Sequence, residues 1–307
     1  FFENIEHFSN PEIAYEVIKQ FVVPEIPENV LKQIIDETLS FDFPIVKLNK
    51  SISTLELFHG PTMAFKDVGA RFMARCLGYF NRDIINEVTV LVVILYPSGK
   101  VSDIQEKQLT TLGKNITALE VDGVFDDCQD MVKQAFLDEE LTSNMQLTSA
   151  NSINVARWLP QMFYFMFAYK QLKNKYDNIV FSVPSGNFGN ICAGMMAQQL
   201  GLPMTHFIAS NNANNVVTEY LTTQFYQPKS SVATISNAMD VGNPSNFIRI
   251  QEIHKNNFKE LKNNLSSYSF TDAETKKAML EIYKDFNYIA DPHGAVGYLG
   301  LKKHGLK

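Results

Sequence analysis

Along the first fifty residues the apolar positions recur at helical spacing. Ile13, Val17 and Phe21 lie one turn apart. Asn10-Pro11-Glu12 ahead of them supplies an N-cap, a proline at the first helical position and an acid in the first turn. Pro27 opens a second helix whose buried stripe is Val30, Leu31, Ile34, Ile35 and Leu39. From residue 87 strands and helices alternate. An apolar run from Val88 to Tyr96 precedes a polar helix from about Ser102 to Leu112, a strand at Ile116–Val121 and a helix from Asp126 to Leu141. A long helix around Val155 to Lys173 follows, then a strand Asn178–Pro184, a helix Asn190–Leu200 and a strand at His206–Ser210. Thr271-Asp272-Ala273-Glu274 is a capping box that opens a helix running to about Phe286. Such alternation predicts an α/β fold with mainly parallel sheets behind an N-terminal helical segment.

One junction breaks the pattern. Val88–Val92 and Val93–Tyr96 read as two buried strands joined end to end, and parallel strands need a crossover of about a dozen residues. One long strand is the plainer alternative. The unalternating run exceeds the usual strand length, which favours a missing connection between 92 and 93. The opening Phe1-Phe2-Glu3 has no initiator Met and no targeting signal, so the chain reads as cut short there.

Composition narrows the function. The chain has 307 residues, 45% of them hydrophobic, and a formal charge of -6. The length suggests about two domains, and the mild acidity without a basic run argues against nucleic acid. Cys76, Cys128 and Cys192 are too scattered for a disulfide framework or a zinc knuckle, and the six histidines form no HxxxH pair. A reducing compartment is therefore expected, with no metal. No apolar stretch approaches the roughly 20 residues of a membrane span.

Four segments carry candidate chemistry. Phe58-His59-Gly60-Pro61-Thr62-Met63-Ala64-Phe65-Lys66-Asp67 leads into a helix reaching about Phe80, with Phe65, Val68, Phe72 and Cys76 on its buried face. Lys66 would lie in the first turn, at the positive end of the helix dipole, which disfavours the ammonium form. A partly neutral amine suits Schiff-base chemistry; a lysine paired with Asp67 or turned to solvent is the ordinary alternative. Val183-Pro184-Ser185-Gly186-Asn187-Phe188-Gly189-Asn190 joins a strand to a helix through two glycines, an anion cup fit for a phosphate ester, or simply a turn. Ser149 to Arg157 sets hydroxyls, amides and a guanidinium at a helix start, suited to a phosphate or carboxylate, or to plain capping. Asp291-Pro292-His293-Gly294 puts a carboxylate beside an imidazole, more in the manner of a structural turn than of an acid–base pair.

Taken jointly and in order, these residues resemble the threonine synthases. His59 to Asp67 is similar to the cofactor-lysine motif of that family and Ser185 to Asn190 to its phosphate cup. Leu95–Ser102, Thr148–Arg157, Asn237–Gly242 and Asp291–Gly297 also match, so that the resemblance covers essentially the whole chain, closest to the long bacterial and fungal form. It implies pyridoxal 5'-phosphate as cofactor and the tryptophan synthase β-like fold, type II among such enzymes. Two α/β domains would enclose the cofactor: residues 51–86 with 159–307, and a smaller substrate domain over 87–158, beside the helical segment 1–50. It implies the conversion of O-phospho-L-homoserine and water to L-threonine and phosphate, in a cytoplasmic monomer or homodimer. On these residues Lys66 would carry the cofactor and move protons. Ser185, Gly186, Asn187, Phe188, Gly189 and Asn190 would hold its phosphate, while Ser152, Asn154 and Arg157 would take the substrate phosphate. The family also carries a Ser-Gly-Asp-Thr-Gly type loop for the substrate carboxylate after the strand ending near Val92, and this is absent at the very junction that breaks the strand pattern. The family further extends beyond both ends of this chain. Two readings of that are open, a part of a longer protein or a shortened gene product, and the intact flanking motifs favour the first. A related phospho-lyase or dehydratase would share Lys66 and the cup. A non-catalytic descendant of the fold is the reading from another class.

Overall fold

The computed structural model of the protein describes residues 1–82 and 90–305. Helix α1 (Asn10–Val22) is capped by Ser9, not by Asn10 as expected: the Ser9 hydroxyl accepts from Glu12 N and the Glu12 carboxylate accepts from Ser9 N. The reciprocal pair satisfies two orphan donors at once, which Asn10 one residue further in does not do. Ile13 and Val17 are buried, whereas Phe21 is partly exposed. Helix α2 (Glu28–Thr38) buries Leu31, Ile34 and Ile35 as its stripe predicts. A short antiparallel hairpin, β1 (Ile45–Lys47) and β2 (Ser53–Leu55), leads to α3 (Asp67–Phe80).

Strand β3 (Val92–Pro97), helix α4 (Asp103–Thr110) and β4 (Ile116–Val121) form a parallel two-stranded unit. Val92 and Val93 are consecutive in one ladder, facing Ile116 and Thr117. The first of the two expected strands, Val88–Val92, lies partly outside the described residues. Helices α5 (Phe125–Leu137) and α6 (Glu139–Asn144) replace one expected helix. Asp138 adopts an extended conformation between them, and its carboxylate caps Leu141 N at 3.0 Å. The predicted long helix over 155–173 is likewise divided into α7 (Val155–Trp158), a 3-10 turn (Leu159–Gln161) and α8 (Met162–Leu172). Pro160 cannot donate a helical hydrogen bond, so the break falls there.

The main sheet is parallel, in the order β5 (Val180–Pro184), β6 (His206–Asn211), β7 (Leu265–Ser269). Helix α9 (Gly189–Gln199) connects the first two strands. Helices α10 (Val216–Thr223), α11 (Phe247–Ile253) and α12 (Phe258–Asn264) lie between the last two. Helices α13 (Asp272–Phe286) and α14 (Pro292–Lys303) complete the chain, with α14 laid against all three strands. The Ser182 hydroxyl donates to Gly297 O at 2.6 Å and ties that contact. The core centres on Phe165, Phe181 and Phe207, with ring centroids 4.9 to 6.4 Å apart. Among the described residues no helix is long and apolar enough to cross a membrane.

Phe207 is fully buried in that cluster, and Phe225 is 79% exposed. Phe207→Ala is expected to cost about 3–5 kcal/mol through lost transfer energy and an unfilled cavity. Phe225→Ala should fall within about 0.5 kcal/mol of the parent. Urea midpoints at equal m-value check the contrast.

Candidate active site

Lys66 immediately precedes α3, in helical conformation at the N-cap position. The turn before it is held by Asp67, which is buried and whose carboxylate accepts from Thr62 N at 2.9 Å and from the Thr62 hydroxyl at 2.5 Å. The lysine's neighbour in charge is therefore committed to the turn, and no ion pair joins Asp67 to Lys66 among the described residues. Phe65 is partly exposed rather than buried, and the Lys66 ammonium lies 5.7 Å from its ring centroid. The Tyr164 hydroxyl donates to Phe65 O from the core side. Part of the Lys66 surface reaches solvent, yet protein surrounds the amine on most sides. Desolvation pushes its pKa below the usual lysine value, and the nearby Arg157 charge adds to the effect.

The second predicted element stands at the carboxyl end of β5. Phe188 takes a left-handed conformation, φ 60°, which turns the chain sharply into α9. Among the described residues the backbone N–H groups of Gly186, Asn187, Phe188, Gly189 and Asn190 donate to no protein acceptor. Those of a helix's first turn are always orphans; here the preceding loop adds its own. A Cβ on Gly186 would come within 2.6 Å of Met239 Cα, and one on Gly189 would meet Asn246 and Ser152 at 3.4 Å. The loop is thus walled by backbone at Gly186 and by the Asn246 and Ser152 side chains at Gly189, and its free N–H groups are donors of the kind that cradle a tetrahedral anion.

The segment at 149–157 closes one side of this cradle. The Ser152 hydroxyl accepts from Asn187 Nδ2 at 3.2 Å and from Asn246 Nδ2 at 3.0 Å, and its own proton has no acceptor among the described residues. Asn154 serves as the cap of α7, accepting from Ala156 N at 3.0 Å. Arg157 donates through Nε to Ala150 O at 2.6 Å and through Nη1 to Lys66 O at 2.7 Å, which leaves Nη2 without a partner among the described residues. Gln161 Nε2 donates to Arg157 O at 3.1 Å, and Asn190 Nδ2 donates to Gln161 Oε1 at 3.0 Å. A chain of hydrogen bonds therefore runs from the Lys66 backbone carbonyl through Arg157 and Gln161 to the Asn190 side chain. Hydrogen bonds thus link the turn that carries Lys66 to the loop whose N–H groups are free.

The sequence profile of the pyridoxal-phosphate dependent enzymes matches residues 87–307. The threonine synthase of Buchnera aphidicola (subsp. Baizongia pistaciae) is 45% identical over 87% of this chain and 67% of its own length. The chain belongs to the threonine synthase family. Solved structures agree. The crystal structure of Escherichia coli threonine synthase superposes with a TM-score of 0.92 at 38% identity, over all of this chain and 76% of that one. The pyridoxal-phosphate-bound threonine synthase of Brucella melitensis gives 0.86 at 29% identity, over 99% of this chain and 77% of that one. The fold is accordingly type II among pyridoxal-phosphate enzymes, as the resemblance implies. The chain spans about two thirds of the length of the curated threonine synthase.

Asp291 and His293 are not part of this arrangement. Asp291 caps α14, accepting from Gly294 N at 2.8 Å and pairing with His293 Nδ1 at 2.7 Å. Burial alone pushes its carboxyl up, but these bonds outweigh that and hold it below its ordinary value. Residues absent from the sequence reading of the site complete its wall. Ser245 donates to Asn187 Oδ1 through N at 2.6 Å and through its hydroxyl at 2.9 Å, and Asn246 Nδ2 donates to Asn187 O at 3.0 Å. Asn243-Pro244-Ser245-Asn246 is a small-polar turn before a helix, the same kind of signal as 149–154, and could have been found on that ground.

Two outcomes follow. Gly186→Ala should displace Met239 and weaken binding of pyridoxal phosphate at least about tenfold, an effect of order 1.4 kcal/mol, read from a spectrophotometric titration. Lys66 carries a folded-state pKa below that of the unfolded chain, so at neutral pH its ammonium disfavours the folded state. Lys66→Met should raise the melting temperature of the cofactor-free protein at pH 7. That gain should shrink as pH rises towards the ordinary lysine value of about 10.4 and vanish well above it, where the wild-type amine is neutral in both states.

Proposed function

We propose that Lys66 carries pyridoxal phosphate, that the N–H groups of residues 186–190 with Ser185 hold its phosphate, and that the chain forms L-threonine and phosphate from O-phospho-L-homoserine and water. The observation that carries this is the pairing of one amine of depressed basicity with one cradle of free N–H groups, joined through Arg157 and Gln161. The residues fit the group: backbone lines the cradle without space for a side chain at 186.

When bound, the cofactor acts as the electron sink that allows phosphate to leave the substrate and water to add. The chain's own part is binding, orientation and proton movement. Lys66, once displaced by the substrate amine, takes and returns protons at the substrate Cα and Cβ, a role helped by its lowered pKa. Ser152, Asn154 and Arg157 take the substrate phosphate, Ser152 with its uncommitted hydroxyl proton and Arg157 with its free Nη2. Asn154 orients this segment as the cap of α7. Residues 87–158 act as the smaller substrate domain against the sheet of β5 to β7.

Lys66→Ala should abolish both the absorbance band of lysine-bound cofactor and any borohydride-stable adduct while the far-ultraviolet circular dichroism stays unchanged. An adduct that survives in this variant overturns the assignment. Incubation with phosphohomoserine should release threonine and phosphate in equal amounts; a 2-oxo acid in place of threonine would point instead to a related phospho-lyase or dehydratase.

A further inference from the structure

Arg249, on α11, lies directly behind the cradle. Its Nη1 donates to Ser152 O at 2.8 Å and also to Asn246 Oδ1, and its Nη2 donates to Ile153 O at 2.7 Å. The guanidinium lies 5.5 Å from the Trp158 ring centroid. Every one of these partners is neutral, and no carboxylate pairs with Arg249 among the described residues. A half-buried cation with no counter-charge is costly in a folded protein unless something anionic completes its surroundings. Both side chains that Arg249 braces, Ser152 through its carbonyl and Asn246 through its amide, stand 3.4 Å from where a Cβ of Gly189 would be. Asn246 in turn donates to Asn187 O inside the loop.

We infer that Arg249 is a positioning residue that makes this site selective for a doubly charged phosphate ester. It braces Ser152 and Asn246 around the cradle, and its uncompensated charge is matched only when the phosphate is in place. The inference rests on the proposed cofactor site and adds to it the origin of its preference for the phosphorylated aldehyde. No bond to the ligand is required of Arg249, because a full charge one residue behind the cradle acts through a poorly screened interior.

The test compares two aldehydes on the cofactor-free full chain, pyridoxal 5'-phosphate and pyridoxal, each titrated by the absorbance of the lysine-bound form. Arg249→Gln should weaken pyridoxal phosphate at least about tenfold and pyridoxal less than about twofold. Equal loss for both would mean a merely structural role, and no loss for either would mean none; each overturns the inference. Arg249→Lys keeps the charge and loses the fork. There the ratio of the two affinities should stay within about twofold of wild type, and its collapse overturns the inference even where Arg249→Gln does not fold. A wild-type protein that takes up neither aldehyde overturns the cofactor assignment itself, whereas equal losses in the variant overturn only the role of Arg249.

Discussion

Arg157 holds together two stretches of chain that meet nowhere in the sequence. Its guanidinium grips the carbonyl of Lys66, 91 residues away, and that of Ala150, and its own carbonyl accepts from Gln161, which receives Asn190. The N-terminal ends of α3 and α9 are thereby fixed against a common support. On the proposed assignment, the Lys66 amine reaches a ring whose phosphate sits on α9 only if those two helix ends keep a set separation. That is a constraint on backbone, and paired carbonyl–guanidinium bonds enforce it well, since an Arg fork constrains direction as well as distance.

The cradle itself depends on a second support from the far side. Residues 236–246 form its outer wall, with Met239 against Gly186 and Ser245 and Asn246 on Asn187. This wall is internally braced. Asp240 accepts from Asn212 at 2.7 Å, from the Thr234 hydroxyl at 2.7 Å and from Thr234 N at 2.9 Å. Burial pushes the Asp240 carboxyl above its ordinary value, while these same bonds draw it back. The wall also meets the unit built on β3 and β4. Asn237 Nδ2 donates to Gln105 on α4 at 3.0 Å, and Gly242 N donates to Asp126 on α5 at 3.2 Å. A movement of α4 and α5 would therefore reach the anion site through one short segment.

Charge is distributed to match. Arg157 and Arg249 both donate to carbonyls of the segment 150–153, and Arg157 also to that of Lys66, while Asp67 is occupied by the Thr62 turn. The basicity of Lys66 falls because water is thinned around it and a second cation stands near. Among the described residues, no group of three His, Cys, Asp or Glu side chains is placed to hold a metal ion.

Local signals determined much of this protein by sequence alone. The Thr271–Glu274 capping box, the strand at Ile116–Val121 and the strand-to-helix turn at 184–190 are written in adjacent residues, and the structure keeps them. The lysine turn and the glycine loop were legible for the same reason, because a tight turn requires particular residues at neighbouring positions. Strand β7 was not, since Leu265-Ser266-Ser267-Tyr268-Ser269 lacks apolar alternation and is held by partners such as Asn211 and Thr218. Helix α14 hid behind its own cap, which reads as a turn until the sheet beneath it is known. Nor could the sequence place Arg249 behind Ser152, 97 residues earlier, or assign Arg157 to the Lys66 carbonyl. Those contacts satisfy backbone carbonyls far apart in the sequence, and which carbonyl is left over to be satisfied is known only once the helices have packed.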